Sequence, residues 1–220
     1  MTEPLRLAMF DLETTGLYAD SCDITEVGIV EYDINGRELD RHNWLVAIGY
    51  KLPQHIVEIT GITDKMLREQ GQPWNKVASA AWRVLRECNV WAAYNIDFDI
   101  GFLREHLKPV IREYAEPRLI DPIELVKRWL PKNKKGPIKS RSNKAVAEFL
   151  GVDLTNAHRA TEDAAASGES LFKLLELFEV TLKDYLLGRP LPLGPHLRQE
   201  DPFEALYLAR PSCYEYQSDF

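Results

Sequence analysis

The residues of this 220-residue chain best placed for chemistry are Asp11 and Glu13, which close the apolar run Leu5, Leu7, Ala8, Met9 and Phe10 just ahead of Thr14-Thr15-Gly16. The run reads as a largely buried strand that ends in a turn at Gly16. Side chains two apart on a strand share a face, so the two carboxylates would stand about 7 Å apart along the backbone. Like charges so placed repel unless something positive lies between them, and a hard cation such as Mg²⁺ or Mn²⁺ prefers carboxylate oxygens. A strand ending in two solvated acids would look the same, so the case rests on further carboxylates downstream.

Two segments supply them. Tyr94-Asn95-Ile96-Asp97-Phe98-Asp99 follows the apolar run Val90-Trp91-Ala92-Ala93 and places Asp99 at the mouth of a helix expected over Phe98 to Leu107. Ala157-His158-Arg159-Ala160-Thr161-Glu162-Asp163-Ala164 places His158 just before the longest helical pattern, Thr161 to Phe178. Asp163 falls in the first turn of that helix, on the face that carries Ala164 and Ser167. Capping and the helix dipole favour acids at helix starts whatever their role, so the set carries more information than any member.

In this order and with these separations, the segments at Asp11-Leu12-Glu13-Thr14-Thr15-Gly16, Asn95 to Asp99 and His158 to Ala164 resemble the three motifs of the DEDDh exonuclease family. That family includes the proofreading subunit of bacterial DNA polymerase III, ribonuclease T, oligoribonuclease and exonuclease X. The resemblance covers roughly residues 5 to 180. It implies an α/β, ribonuclease H-like fold: a five-stranded mixed sheet with helices on both sides and the acids gathered at one end. It also implies that Asp11 bridges two metal ions, that Glu13 and Asp163 complete the first site, and that Asp99 holds the second through water. His158 would be the general base, and Thr14, Leu17 and Asn95 would contact substrate.

Hydrolysis of a phosphodiester needs a nucleophilic hydroxide, charge relief on the phosphate and stabilisation of the leaving 3′ oxygen. Two divalent ions, Mg²⁺ or Mn²⁺, about 3.5 to 4 Å apart serve all three needs. Histidine ordinarily titrates near pH ~6.5, so a neutral imidazole can take a proton from water near neutrality. The implied activity is release of 5′ mononucleotides from the 3′ end of a single strand, with DNA favoured. An exoribonuclease of the oligoribonuclease or ribonuclease T kind is the alternative, and a non-catalytic nucleic-acid-binding module ranks below both. Two positions depart from the family pattern: Tyr94 stands where many members have histidine, and Thr60 precedes Gly61-Ile62-Thr63 where several have histidine. Neither is a ligand or the base, and both bear on substrate choice.

The elements that must position these residues are legible in outline. Ile24 to Tyr32 and Glu38 to Val46 read as second and third strands joined by an Asn35-Gly36 hairpin. A short helical turn is expected at Leu52-Pro53-Gln54-His55, then a helix over Lys65 to Gln70 capped at Thr63-Asp64. Val77, Ala80, Ala81, Val84 and Leu85 mark an amphipathic helix before the strand at Val90. A brief strand at Leu119-Ile120-Asp121 and helices over Pro122 to Leu130 and Ser142 to Leu150 precede the last helix. A meander of strands followed by alternating helices and strands predicts an α/β domain with a mixed sheet.

Hydrophobic content of 45% and charged content of 28% fit one globular domain, and a net charge of −7 argues against coating nucleic acid with the whole surface. A local basic run does exist: Lys127, Arg128, Lys132, Lys134, Lys135, Lys139, Arg141 and Lys144 with no acid among them. It is either a solvated loop or a track for strand phosphates, with Lys134, Lys135 and Lys139 as the expected contacts. Cys22, Cys88 and Cys213 have neither paired nor metal-ligand spacing and read as free thiols in a reducing compartment. With no basic-then-apolar leader and no apolar run near ~18 residues, a cytoplasmic protein without membrane contact is expected. The exonuclease-like domain is expected over 1–187. Residues 188–220, rich in proline and aromatic side chains, are expected to pack on that domain or on a partner. Besides the 3′ end of a single strand, the candidate partners are a second copy of the chain, a polymerase and a repair protein.

Overall fold

The strand that carries the first two carboxylates, β1 (Arg6–Thr14), runs through the middle of a five-stranded sheet ordered β3-β2-β1-β4-β5. The computed structural model describes residues 4–108, 117–129, 140–154 and 158–191. β2 (Ile24–Asp33) pairs antiparallel with β1 and with β3 (Glu38–Leu45), while β4 (Val90–Ala92) and β5 (Arg118–Ile120) run parallel to β1. The expected hairpin closes at Gly36, whose φ of 83° suits glycine. The Asp33 carboxylate accepts the backbone N–H groups of Asn35 and Arg37 there, at 2.8 and 2.9 Å.

Between β3 and β4 come α1 (Gln54–Thr60), α2 (Asp64–Gln70) and α3 (Trp74–Leu85), and α4 (Ile96–Leu107) joins β4 to β5. After β5 follow α5 (Pro122–Trp129), α6 (Asn143–Leu150), α7 (Ala160–Leu177) and α8 (Leu182–Leu186). Local chemistry explains several starts: Thr63 and Ser142 accept the N–H of the third residue on, and Thr181 forms a reciprocal capping box with Asp184. The element expected as a turn at residues 52–55 is a full helix, α1, closed by left-handed Gly61. Its single apolar face, Ile56, packs with Leu45, Leu52, Ile62 and Leu67, a cluster too dispersed in sequence to show as a period.

Alternation along β1 divides the core into two layers. Leu7 and Met9 join Val30, Tyr32, Ile120 and the inner faces of α5, α6 and α7, whereas Ala8, Phe10 and Leu12 join Val27, Ile29, Trp91 and the inner faces of α3 and α4. Helices therefore cover both faces of the mixed sheet, as expected. Asp11 and Glu13 share the parity of Leu7 and Met9, so they project on the α7 side at the C-terminal end of β1. The chain stays packed beyond residue 187: Leu191 is 7% exposed and belongs to the α7-side core. Lys134, Lys135, Lys139, Cys213 and the segment from 192 to 220 lie outside the described residues.

Candidate active site

β4 ends at Ala92, opposite Met9, so the continuation of β1 through Asp11 to Thr14 passes beyond its parallel neighbour. There the Leu12 N–H is met by a side chain: the Asp99 carboxylate accepts it at 3.0 Å, in a buried bond. α4 starts at Ile96, two residues before the expected position, so Asp99 sits in the first turn and is almost fully buried. Asn95 takes a left-handed φ of 62°, and its N–H and that of Ile96 donate to Asp121 at 3.0 and 3.1 Å. Asp121 also accepts the Ile123 N–H at 2.9 Å, so one carboxylate just after β5 holds the starts of both α4 and α5.

The third motif reaches the site through α7, which lies across β1 and β2. Gly28, opposite Asp11 on β2, makes the approach possible, since a Cβ there would fall 2.2 Å from backbone atoms of Ala160 and Thr161. Glu26, opposite Glu13, is fully buried and takes the Ala160 N–H at 3.1 Å. Its carboxylate also receives Arg159 Nε at 3.1 and 3.2 Å and a terminal guanidinium nitrogen at 2.6 Å. A strand carboxylate thus replaces the missing side-chain cap of α7 and pins the motif to the sheet. Sequence reasoning missed Glu26 and Asp121 as positioning residues. An acid between Ile24 and Val27 in a strand rich in β-branched residues was the available signal for Glu26, because a buried carboxylate requires a cationic or N–H partner.

His158 has a left-handed φ of 71°, and its N–H donates to Asp163 at 2.8 Å, so the loop curls back onto the acid five residues on. One potential ligand atom from each of Glu13, His158 and Asp163 lies within 4.8 Å of the others. The structure therefore brings together Asp11, Glu13, Asp99, Asp163 and His158 from β1, α4 and the start of α7. Thr14 is buried with its hydroxyl donating to the Gly16 carbonyl at 2.6 Å, Leu17 is 76% exposed on the following loop, and Asn95 is exposed before α4. Tyr94 donates its hydroxyl to the Arg141 carbonyl at 2.6 Å, a structural use.

The acids repel one another. Burial raises the Asp11 pKa well above the usual carboxylate range, and the charges of Asp99, Glu13, Asp163 and Glu26 raise it further. Glu13 is pushed up to about 7, first by burial and then by Asp163 and Glu26, against a lowering influence from Arg159. Burial also raises Asp99 and Asp163, opposed by the N–H groups of Leu12 and His158. Partly to fully buried carboxylates that disfavour their own charge form a hard oxygen donor set that fits a divalent cation. A second His/carboxylate group, Glu31, Asp40 and His42, differs: Arg6 already pairs with Glu31 at 2.6 Å, so it serves as an ion-pair network.

The exonuclease family model designated RNase_T matches residues 8–171, well over half of the chain. Among curated relatives, the 3′-5′ exonuclease DinG of Staphylococcus aureus is 33% identical over 172 residues, covering 78% of this chain and 18% of that protein. Escherichia coli exonuclease I in its zinc-bound complex with single-stranded DNA superposes with a TM-score of 0.70 at 20% identity, over 85% of this chain and 43% of that one. Exonuclease X in complex with 5′ overhanging duplex DNA superposes with a TM-score of 0.60 at 21% identity, over 81% of this chain and 95% of that one. The chain thus spans under a fifth of the curated relative and less than half of exonuclease I. The solved structures establish the ribonuclease H-like fold, and the family match together with the assembled acids and histidine places this chain in the DEDDh 3′-5′ exonuclease family.

Proposed function

We propose that the chain is a metal-dependent 3′-5′ exonuclease that removes 5′ mononucleotides from single-stranded nucleic acid, with DNA as the favoured substrate. The convergence of Asp11, Glu13, Asp99 and Asp163 with His158 at one sheet end carries this reading. The complexes of exonuclease I with single-stranded DNA and of exonuclease X with overhanging duplex DNA support DNA over RNA. Two Mg²⁺ or Mn²⁺ ions held by Asp11, Glu13, Asp163 and Asp99 would neutralise the scissile phosphate, lower the pKa of water and stabilise the leaving oxygen.

Asp11, which feels the charges of Asp99, Glu13 and Asp163, would be shared by the two ions. Asp99, tied through Oδ1 to the Leu12 N–H, would help hold the second ion through water. His158 accepts the proton of the attacking water at a ring nitrogen, its backbone held in place by Asp163. Glu26 and Arg159 keep the start of α7 seated, and Thr14, Leu17 and Asn95 frame the terminal nucleotide. Lys134, Lys135 and Lys139 track the distal phosphates.

The test is digestion of end-labelled single-stranded DNA, duplex DNA and short RNA with Mg²⁺ or Mn²⁺. The expected result is single-stranded DNA shortened from its 3′ end, with no cleavage in EDTA. Faster attack on short RNA would move the assignment to an exoribonuclease, and undiminished cleavage in chelator would overturn the two-metal mechanism.

A further inference from the structure

The exposed apolar surface at Leu17 extends to two further side chains. Eight large hydrophobic side chains are exposed among the described residues, and three of them, Leu17, Tyr18 and Tyr50, sit on two loops joined to each other. Tyr18 and Tyr50 are 71% and 52% exposed. The Tyr50 hydroxyl, from the loop between β3 and α1, donates to Asp23 Oδ2 at 2.6 Å and lies 3.4 Å from Thr15 Oγ1. Thr15 is two residues past Glu13, so the join lies on the loop that leaves the carboxylate-bearing strand.

The loop carrying Leu17 and Tyr18 is braced as well. Thr15 and Asp23 exchange hydrogen bonds at 2.8 and 2.9 Å, the Tyr18 carbonyl accepts from Ser21 and Cys22, and the His106 ring of α4 contacts the Ala19 and Cys22 carbonyls at 3.1 Å. The Tyr50 ring, tied through its hydroxyl at a water-facing position, loses little entropy when something stacks on it. Charge decides which part of a nucleotide that is. Residues 15–23 contain Asp20 and Asp23 and no lysine or arginine, and residues 46–53 contain one cation, Lys51. Tyr50 already directs its hydroxyl at a carboxylate, so a phosphate is disfavoured there and a neutral base is not.

We propose that Tyr50, held by Asp23, and Tyr18 form a stacking platform for a base upstream of the 3′-terminal nucleotide; the proposal rests on the exonuclease reading. Stacking on an aromatic face is tolerant of base identity, so the platform serves single strands of any sequence and requires the base to be unpaired.

The test compares a thymidine oligonucleotide with the p-nitrophenyl ester of thymidine 5′-monophosphate, which carries a single nucleoside and cannot reach an upstream platform. Tyr50→Ala is expected to raise KM for the oligonucleotide by ~5- to 100-fold, with kcat and ester hydrolysis changed by less than about twofold. Tyr50→Phe, which keeps the ring and loses the bond to Asp23, should stay within about threefold of the parent KM. An unchanged oligonucleotide KM in Tyr50→Ala, an equal rise with the ester, or Phe as damaging as Ala would each overturn the platform. If the parent protein hydrolyses neither substrate, the exonuclease reading fails and the platform fails with it.

Discussion

His158 sits on a left-handed backbone where its N–H reaches Asp163, so the residue has a structural and a chemical part that substitution can separate. Asparagine tolerates that backbone better than alanine, which makes His158→Asn the cleaner removal of a base. Loss of the imidazole should lower kcat by ~10²- to 10⁴-fold with little change in KM, measured on single-stranded DNA at neutral pH. A full rate in the variant would assign the histidine to structure alone. Glu13 gives a prediction of a different kind. In the folded chain it holds its proton up to about pH 7, against an ordinary value of 4.5. Between those values the folded state binds more protons than the unfolded state, so stability of the metal-free protein falls as pH rises through the window and levels off above it. Thermal melts in chelator from pH 5 to 8 should show that decline, and Mg²⁺ should raise Tm most at the upper end. By the same repulsion, Asp163→Asn should raise the metal-free Tm while abolishing hydrolysis; a metal-free Tm that climbs through the window would sink this account.

At the scale of elements, the active geometry depends on how closely the start of α7 approaches β2. Gly28→Ala would place a methyl group 2.2 Å from the Ala160 backbone, and backbone cannot yield as a flexible side-chain end does. The helix start must move, at a cost of about 1 to 3 kcal/mol, and His158 and Asp163 move with it. Glu26→Gln leaves the shape and removes the charge that Arg159 and the Ala160 N–H share, which should cost on the order of 1 to 3 kcal/mol. Both variants should depress kcat more than KM, because they displace the reacting groups without touching the strand-binding surface. Retained kcat alongside a lowered Tm would show that Glu26 supports the fold alone.

At the scale of the whole molecule, the proposed function requires a chain of net charge −7 with a cluster of acids to bind a polyanion. On the proposed reading, cations at the site and the local basic segment would be the two sources of attraction. Replacing Lys134, Lys135 and Lys139 with alanine should raise KM for long strands and flatten its salt dependence, since fewer counterions are released on binding. Equal effects on a dinucleotide and a long strand would argue against a distal track. The domain boundary can be tested by truncation. Removal of 192–220 spares Leu191, whereas removal of 189–220 takes this buried side chain out of the core, along with the Arg189–Asp184 ion pair at 2.6 Å. The longer deletion should therefore be less stable than the shorter by roughly 1.5 to 3 kcal/mol, the worth of a buried leucine. Identical melts for the two would place the boundary at residue 187 as the composition suggested.

The sequence by itself put forward the candidate site residues and their order, because short-range rules govern those segments. A carboxylate pair on one strand face, acids in the first turns of helices, a Thr63 or Ser142 cap and an Asn-Gly hairpin are all decided within a few residues of chain. Tertiary structure alone decided how the segments are held. Glu26 and Arg159 are 133 residues apart, and Leu12 and Asp99 are 87 apart. No local period or propensity links such pairs; they meet because β4 stops at Ala92 and leaves a β1 N–H to satisfy, and because Gly28 lets a helix start rest on the sheet. The same holds for α1, whose apolar face exists only against Leu45, Ile62 and Leu67, and for the Tyr50–Asp23 join, which two separately unremarkable loops form when the sheet brings them side by side.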